Sequence, residues 1–251
     1  MIRGILFDLD GTLYRGSESI VGAAEAISAC RKLGFQVRFF TNNSGISEDN
    51  LVQKLTRLGF APAPGELFAI GPMSIDFCVS LGCRSVFVVG EPDLVQGFHE
   101  AGILCQDPER ADAVVAGICR SFCYDQCNQA MQAILNGARF IATNRDATYP
   151  LENGRLQPGA GAIITAIETA SGQVPTVLGK PNSWAIEKIL GASGWEASEM
   201  LVVGDRLDSD IAAADAAGCP SVLVRTGVLQ PEGKVETLDS VADLPDWLQS
   251  R

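Results

Sequence analysis

Near the N-terminus the chain reads Ile2-Arg3-Gly4-Ile5-Leu6-Phe7-Asp8-Leu9-Asp10-Gly11-Thr12, an apolar run that ends abruptly in acidic and turn-forming residues. Such a run is typical of a buried strand that opens into a loop. The two-residue period of a strand places the carboxylates of Asp8 and Asp10 on the same side. The pair suits covalent catalysis, with one Asp attacking and the other exchanging a proton. The same residue types also suit a simple turn.

Three further apolar runs end in the same way, Val37–Phe40, Thr176–Leu178 and Met200–Val203. Amphipathic stretches alternate with such runs along the chain, which predicts an α/β fold with a doubly wound, mostly parallel sheet. In this fold class the ligand crevice lies at the carboxyl ends of the strands. We therefore expect the residues that follow the four runs to converge there, namely 8–12, 41–44, Lys180 and 204–210.

A long insertion separates the second and third of these segments. Positions 45–179 comprise 135 residues, whereas a strand crossover needs only about a dozen. The insertion contains strand-like and helix-like stretches of its own: Ser85–Val89, Ala113–Ala116 and Phe140–Thr143, then Leu94–Ala101 and Gln126–Leu135. We predict an inserted α/β domain at residues 65–177, and a discontinuous core domain at residues 1–64 and 178–251.

Polar groups at the second and third strand ends suit a phosphate. Thr41, Asn42 and Asn43 supply hydroxyl and amide donors, although such residues equally suit a loop or a helix cap. Lys180 supplies a cation that would offset the charge of a phosphoryl group. A single Lys is more often a solvated surface residue, so its role depends on the other motifs.

The fourth strand end carries three acids within Gly204–Asp210. If Asp205 or Asp210 enters the crevice that holds Asp8 and Asp10, repulsion between the carboxylates makes the empty site costly. A divalent cation relieves that repulsion. Oxygen ligands without a nearby His or Cys favour Mg²⁺ over Zn²⁺.

The composition argues against several classes of partner. The formal net charge is −11, and an acidic protein repels nucleic acid and anionic membrane surfaces. Asp8 and Asp10 come too early in the chain to leave room for the apolar stretch of a signal peptide, so we expect a cytoplasmic protein. Eight cysteines in a chain of this size are expected to be reduced and mostly buried. Cys119, Cys123 and Cys127 recur every four residues, but no fourth zinc ligand lies near them, so we interpret them as packing residues.

Taken together, the chain resembles the haloacid dehalogenase (HAD) superfamily, whose four motifs occur here in order: Asp8-Leu9-Asp10-Gly11-Thr12-Leu13, then Thr41, then Lys180, then Asp205 with Asp210. The phrases Thr41-Asn42-Asn43 and Ala142-Thr143-Asn144-Arg145-Asp146, with the large insertion, look like its NagD-like branch. That branch includes 4-nitrophenylphosphatases, phosphoglycolate phosphatases and pyridoxal phosphatases. The resemblance implies a Rossmann-like core with an inserted α/β cap.

The resemblance also implies roles for individual residues. Asp8 would be the nucleophile that forms an aspartyl-phosphate, Asp10 the general acid and base, and Thr41 and Lys180 the groups that hold the phosphate. Mg²⁺ would bind to the side chains of Asp8 and Asp205 and to the backbone carbonyl of Asp10. Asp210 would steady Lys180 or a water on the metal. No role follows for Arg206 or Asp208.

The cap of such enzymes covers the crevice and contacts the substrate beyond its phosphate. We expect this contact from the loop Asn144–Pro150, including Asp146. The Gly159-Ala160-Gly161 stretch is interpreted as a flexible helix start. The substrate would be a small phosphorylated metabolite, and a homodimer is consistent with the resemblance. Phosphomutase or dehalogenase chemistry on the same scaffold, or a non-catalytic sensor of a phosphorylated metabolite, are the alternatives.

Overall fold

The computed structural model describes residues 1–105, 107–150, 155–227 and 235–250. Its strands are β1 (Gly4–Asp8), β2 (Tyr14–Arg15), β3 (Glu18–Ser19), β4 (Gln36–Thr41), β5 (Leu67–Ala69), β6 (Val86–Val89), β7 (Ala113–Ala116), β8 (Arg139–Ala142), β9 (Thr148–Pro150), β10 (Leu156–Pro158), β11 (Thr176–Val177), β12 (Met200–Gly204), β13 (Ser221–Val224) and β14 (Thr237–Leu238). Its α-helices are α1 (Ala23–Lys32), α2 (Glu48–Arg57), α3 (Ile70–Ser80), α4 (Pro92–Glu100), α5 (Tyr124–Leu135), α6 (Ala160–Ser171), α7 (Trp184–Ser193), α8 (Ala212–Ala217) and α9 (Leu244–Gln249).

The larger sheet is parallel and has the strand order β14-β13-β12-β1-β4-β5. Its inner strands are apolar on both faces. Ile5 and Phe7 of β1 pack in one buried cluster, whereas Leu6 packs in the other. A sheet that is buried on both sides requires helices on both sides. The predicted doubly wound α/β core is confirmed.

A second, four-stranded parallel sheet has the order β11-β8-β7-β6. It contains the three strand-like runs that were predicted inside the insertion, and α4 and α5 cover the two predicted helical stretches. One buried cluster, which includes Val114 and Ile164, belongs to this region. A different cluster is shared, because Val86 and Ile141 pack in the same cluster as Leu6 and Phe40 of the larger sheet.

One sequence-based boundary needs correction. Residues 67–69 were assigned to the insertion, but β5 pairs with β4 at the edge of the larger sheet. The reason is that an apolar run predicts a strand without naming its hydrogen-bonded neighbour. At the other boundary, Thr176 and Val177 were placed inside the insertion, and β11 pairs with β8 at the edge of the second sheet.

Local signals position the helices that follow the strand ends. The Ser47 hydroxyl accepts a hydrogen bond from the Asn50 amide and caps α2, as predicted. Helix α7 begins after Ser183 as expected, but the capping bond to the Trp184 amide comes from the Asn182 side chain. Gly218 ends α8 in the left-handed conformation, with φ +73°.

The eight cysteines are all free thiols, and five of them are buried. Cys119 lies before α5, Cys123 caps it and Cys127 lies within it, so the three do not share one helical face. Within the described ranges, the only group of metal-binding side chains is formed by aspartates, not cysteines. None of the helices in these ranges is both long and apolar enough to pass through a lipid bilayer.

Candidate active site

The four predicted motif segments meet in one cavity at the carboxyl ends of β1, β4 and β12. Every residue that the sequence singled out for the site lines it: Asp8, Asp10, Thr41, Asn42, Asn43, Asp146, Lys180, Asp205 and Asp210. Strands β1, β4 and β12 bring three of the segments together because they are neighbours in the larger sheet. Asp146 follows β8 and Lys180 follows β11, and both strands belong to the second sheet.

The chain turns sharply after β1 because Gly11 has φ +95°. A Cβ at this position would lie 2.5 Å from Oδ2 of Asp205, so a side chain would collide with the fourth motif. The Thr226 hydroxyl donates a hydrogen bond to the Gly11 carbonyl at 2.8 Å. Glycine is therefore required here both for backbone conformation and for close packing of two acidic segments.

The Lys180 ammonium group lies between two carboxylates. Nζ donates to Oδ1 of Asp8 at 2.5 Å and to Oδ1 of Asp210 at 2.6 Å. The side chains of Lys180 and Asp210 are only 4% and 2% exposed. Burial alone would lower the pKa of Lys180, but Asp210 and Asp8 outweigh it and raise that pKa. The lysine is therefore held as a cation at the floor of the cavity.

Asp8 experiences opposing influences. Burial raises its pKa, the charges of Asp210 and Asp205 raise it further, and Lys180 lowers it. The net effect is a pKa well above the usual value, which disfavours the carboxylate anion. A single ammonium group does not balance three neighbouring carboxylates.

Those three carboxylates form a candidate cation site. Oxygens of Asp8, Asp205 and Asp210 lie within 4.8 Å of one another. Oδ2 of Asp210 accepts hydrogen bonds from the backbone amides of Asp205 and Arg206, both at 3.1 Å, and Oδ1 accepts from Lys180. Because both oxygens of Asp210 already accept bonds, Asp8 and Asp205 are better placed to bind a cation. A set of hard oxygen ligands fits Mg²⁺.

The second motif positions the lysine rather than simply pointing at a phosphate. Oδ1 of Asn42 accepts from the Lys180 amide at 3.0 Å, and its Nδ2 donates to the Lys180 carbonyl at 3.0 Å. Nδ2 also donates to Asp146 at 3.1 Å. The Asn42 amide thus bonds protein partners in this structure, and its predicted contact with substrate stays a prediction.

The neighbours of Asn42 are bonded locally. Oγ1 of Thr41 accepts from the Asn43 amide at 3.0 Å, and Oδ1 of Asn43 accepts from the Gly45 amide at 2.9 Å. These bonds fold the segment into a tight loop after β4. The Thr41 hydroxyl proton and the Asn43 amide hydrogens are not used by these bonds, so both groups retain donors for a phosphate.

The loop after β8 forms the opposite wall. Asn144 donates to the Asn42 carbonyl at 2.7 Å, and its own Oδ1 accepts from the Asp146 amide at 3.0 Å. Burial raises the pKa of Asp146. Glycine at the start of α6 has a packing role, since a Cβ on Gly159 would lie 2.2 Å from the Asp146 carbonyl oxygen. The sequence predicts a flexible helix start here, whereas the structure shows that glycine lets the loop pack closely against α6.

Two cavity residues were not predicted from the sequence, Ile118 and Arg120, which line the cavity from the second sheet's side. Tyr149 and Arg206 also line it, and they belong to the loop 144–150 and the segment 204–210 that were expected there. Arg120 pairs with Glu91 at 2.8 Å and donates to the Tyr149 hydroxyl at 3.1 Å. An isolated arginine carries no motif, so no sequence signal distinguished Arg120 from a surface residue.

A second contact missed by sequence reasoning lies behind Asp10. The buried Tyr14 hydroxyl donates to Oδ2 of Asp10 at 3.0 Å. Nζ of Lys54, on α2, lies 3.8 Å from the centre of the Tyr14 ring. Burial raises the pKa of Asp10, while Lys54 and the Tyr14 hydrogen bond lower it.

Two protein-family models match segments of the chain. Residues 5–104 match the family described as haloacid dehalogenase-like hydrolase, and residues 177–247 match a HAD-hydrolase-like family. The curated relatives include YutF of Bacillus subtilis, a 5'-nucleotidase, which is 34% identical over 98% of this chain and 97% of its own. They also include AraL of the same organism, a sugar-phosphatase, which is 38% identical over 96% of this chain and 89% of its own.

Solved structures agree with this result. A p-nitrophenyl phosphatase from Archaeoglobus fulgidus superimposes with a TM-score of 0.89 at 30% identity, covering 98% of this chain and 99% of that one. NagD from E. coli K-12 superimposes with a TM-score of 0.85 at 29% identity, covering 96% and 98%. The similarity includes the second sheet as well as the larger one.

Proposed function

Because this chain belongs to the haloacid dehalogenase-like hydrolase family and is a phosphatase, we propose that it hydrolyses small phosphomonoesters through an aspartyl-phosphate on Asp8, with Mg²⁺ as cofactor. The observation that carries this proposal is the contact of Lys180 with Asp8. A buried ammonium group 2.5 Å from the attacking carboxylate supplies positive charge where an anionic phosphoryl group must approach an anion.

The reaction follows in two steps. An Asp8 oxygen attacks phosphorus and forms the acyl phosphate bond, while the bond from phosphorus to the substrate oxygen breaks. Asp10 gives its proton to that leaving oxygen, and an alcohol departs. Asp10 then takes a proton from water as the water oxygen bonds to phosphorus. The bond to Asp8 breaks, which releases phosphate and restores the carboxylate.

The acidic cluster fits a divalent cation, and we propose that the side chains of Asp8 and Asp205 and the backbone carbonyl of Asp10 hold it. When bound, Mg²⁺ would neutralise charge on the phosphoryl group and orient it for in-line attack. Asp210 acts behind these ligands, since its oxygens hold Lys180 and the amides that shape the fourth motif. Thr41, Asn43 and Lys180 would bind the phosphate oxygens.

We further propose that the region from α3 to β11 acts as a cap that recognises the rest of the substrate. Its candidates are Arg120, Tyr149 and Asp146, which line the cavity together with Asp8. These side chains offer donors, acceptors and an aromatic face, a combination that suits a sugar or a nucleoside. The names of the relatives, a 5'-nucleotidase and a sugar-phosphatase, point to the same two substrate classes.

The test compares Asp8→Asn with wild type in Mg²⁺-dependent release of phosphate from 4-nitrophenyl phosphate. Asp215→Asn, a change of the same chemistry at an exposed position on α8, serves as control. We expect Asp8→Asn to lower kcat by about 10³-fold or more and the control to match wild type. Equal rates for Asp8→Asn and wild type would overturn the assignment of Asp8.

Three further measurements on the wild-type protein separate the alternative activities. Acid quenching during turnover, followed by mass spectrometry, should find phosphate on the peptide that contains Asp8. A phosphomutase would transfer that phosphate to a second substrate without releasing it, and a dehalogenase would release halide. A sensor would bind a phosphorylated metabolite in calorimetry with negligible turnover.

A further inference from the structure

Two residues outside the cavity lining, a tyrosine and a lysine, lie beside Asp10. After β1 the chain folds back, since the Gly11 amide donates to the Tyr14 carbonyl at 2.8 Å. This tight loop returns the Tyr14 side chain to the start of the motif, where its hydroxyl donates to Oδ2 of Asp10. Tyr14 is 1% exposed, so water does not compete for this bond.

The Tyr14 hydroxyl carries a single proton, and its 3.0 Å hydrogen bond to Oδ2 of Asp10 uses that proton. A donor committed to Oδ2 leaves Oδ1 as the oxygen of Asp10 that carries a transferable proton. The hydrogen bond therefore selects one oxygen and fixes the rotation of the carboxyl group.

Lys54 extends the arrangement. Its ammonium group lies over the face of the Tyr14 ring, 3.8 Å from the ring centre, which is a favourable cation–π geometry. Helix α2 carries Lys54 and follows the second-motif loop. The lysine thus links the position of the ring to an element that does not belong to the first motif.

We propose that Tyr14 is a positioning residue for Asp10, and that Lys54 holds Tyr14 in place. The inference rests on the proposed role of Asp10 as the acid that protonates the leaving oxygen. It goes beyond that role because it assigns a function to two residues outside the four motifs. Neither side chain is among the residues that line the cavity, so neither is placed to contact the substrate directly.

Leaving-group dependence provides the readout. An alkoxide leaving group needs a proton from Asp10, whereas 4-nitrophenolate is stable enough to leave without one. We therefore compare kcat/KM for an alkyl phosphomonoester with kcat/KM for 4-nitrophenyl phosphate in each variant. Tyr14→Phe should lower the alkyl-to-aryl ratio by about tenfold, equivalent to about 1.4 kcal/mol. The loss should appear in kcat, with KM unchanged.

Lys54→Met should lower the same ratio about threefold, because it weakens the hold on the ring but keeps the hydroxyl. Two matched controls should leave the ratio unchanged. Tyr124→Phe alters an exposed tyrosine, and Lys188→Met removes a lysine that lies 5.8 Å from the Trp184 ring on α7. A merely structural effect of Tyr14→Phe would lower both rates together and leave the ratio constant, which would overturn the proposal.

Asp10→Asn distinguishes failure of this inference from failure of the proposed mechanism. If it lowers the ratio strongly and Tyr14→Phe does not, positioning by Tyr14 is wrong and the role of Asp10 stands. If Asp10→Asn leaves the ratio unchanged, Asp10 is not the acid and both proposals fail. Should Tyr14→Phe not fold, as judged by near-UV circular dichroism, Lys54→Met decides, and an unchanged ratio there contradicts the proposal.

Discussion

Asn42 and Lys180 are joined by two hydrogen bonds, each of 3.0 Å, in which the side-chain amide of Asn42 pairs with the backbone of Lys180. The asparagine follows a strand of the larger sheet, and the lysine follows a strand of the second sheet. The two hydrogen bonds therefore hold the lysine near Asp8, although Lys180 and Asp8 follow strands of different sheets.

Asn42→Ala should lower kcat by about 10- to 100-fold, because two buried bonds to the Lys180 backbone are lost and Nζ is no longer held at Asp8. Steady-state kinetics with 4-nitrophenyl phosphate measures the effect. Asn50→Ala is the matched control, since its side chain is exposed and bonds Asp93 outside the cavity. A loss in kcat for Asn50→Ala as large as that for Asn42→Ala would contradict the positioning role.

Lys180→Met should reduce the free energy of unfolding by about 3 kcal/mol at pH 7, because two buried carboxylates lose their counter-ion. Burial and the neighbouring carboxylates already raise the folded-state pKa of Asp8, and loss of the ammonium group raises that pKa further. The contribution of Asp8 to stability is then greatest below its unfolded pKa and is lost as the pH rises through its folded pKa.

The variant should accordingly regain stability between pH 7 and pH 5, as followed by urea unfolding in the absence of divalent cations. The double variant Lys180→Met with Asp210→Asn removes one of the stranded charges and should recover part of the loss at pH 7. If the single and double variants are equally stable, repulsion within the cluster is not the cause.

Removal of metal should abolish activity. We expect dialysis against EDTA to eliminate phosphate release and Mg²⁺ to restore it. In Asp205→Asn, the Mg²⁺ concentration for half-maximal activity should rise about 10- to 100-fold, because a carboxylate ligand becomes a neutral amide. Calorimetric titration of Mg²⁺ into both proteins tests this independently of turnover, and equal affinities would exclude Asp205 as a ligand.

Arg120→Ala should raise KM for a sugar phosphate or a nucleoside monophosphate about tenfold and leave KM for 4-nitrophenyl phosphate nearly unchanged. The guanidinium lies at the cavity wall, where it would contact groups beyond the phosphate. Arg110→Ala provides the control, since that side chain is 86% exposed and pairs only with Asp107 among the described residues. Equal KM changes for all substrates would indicate general electrostatic attraction.

The cysteines should label in a defined order. Cys123 is exposed, whereas burial raises the pKa of Cys78 to about 12 and those of Cys30 and Cys219 to about 11. At pH 8 a thiol reagent should label Cys123 rapidly and these three slowly. Cys123→Ser should remove the fast phase. In denaturant without reductant, all eight thiols should react, and a lower count would reveal disulfides.

Much of this arrangement could be predicted from the sequence, because local patterns carry it. Apolar runs that end in polar residues located β1, β4 and β12, and the acids and hydroxyls after them located three sides of the cavity. The pairing partner of each strand was harder to predict from the sequence. Leu67–Ala69 passes directly into α3 without a turn, so its apolar residues resemble the beginning of a helix, and its pairing with β4 has no local signal.

Contacts between distant residues were the other gap. Arg120 reaches the cavity beside the predicted loop 144–150 because β7 and β8 are adjacent, and that adjacency is a property of the sheet and not of either segment. Tyr14 is only four residues from Asp10, yet its contact depends on a backbone turn whose shape a sequence pattern does not describe. The identity of each of these side chains can be read from the sequence, but the sequence does not tell towards which neighbour the side chain points.

The location of Lys180 after an edge strand of the second sheet has a consequence for protein engineering. A graft that exchanged the whole insertion between two members of this family would replace the segment that delivers the lysine while keeping the asparagine that receives it. Chimeras joined after β11 would import a foreign approach path to residue 180. Chimeras joined between β8 and β11, which retain the host's own segment from 176 onward, should preserve turnover while exchanging selectivity.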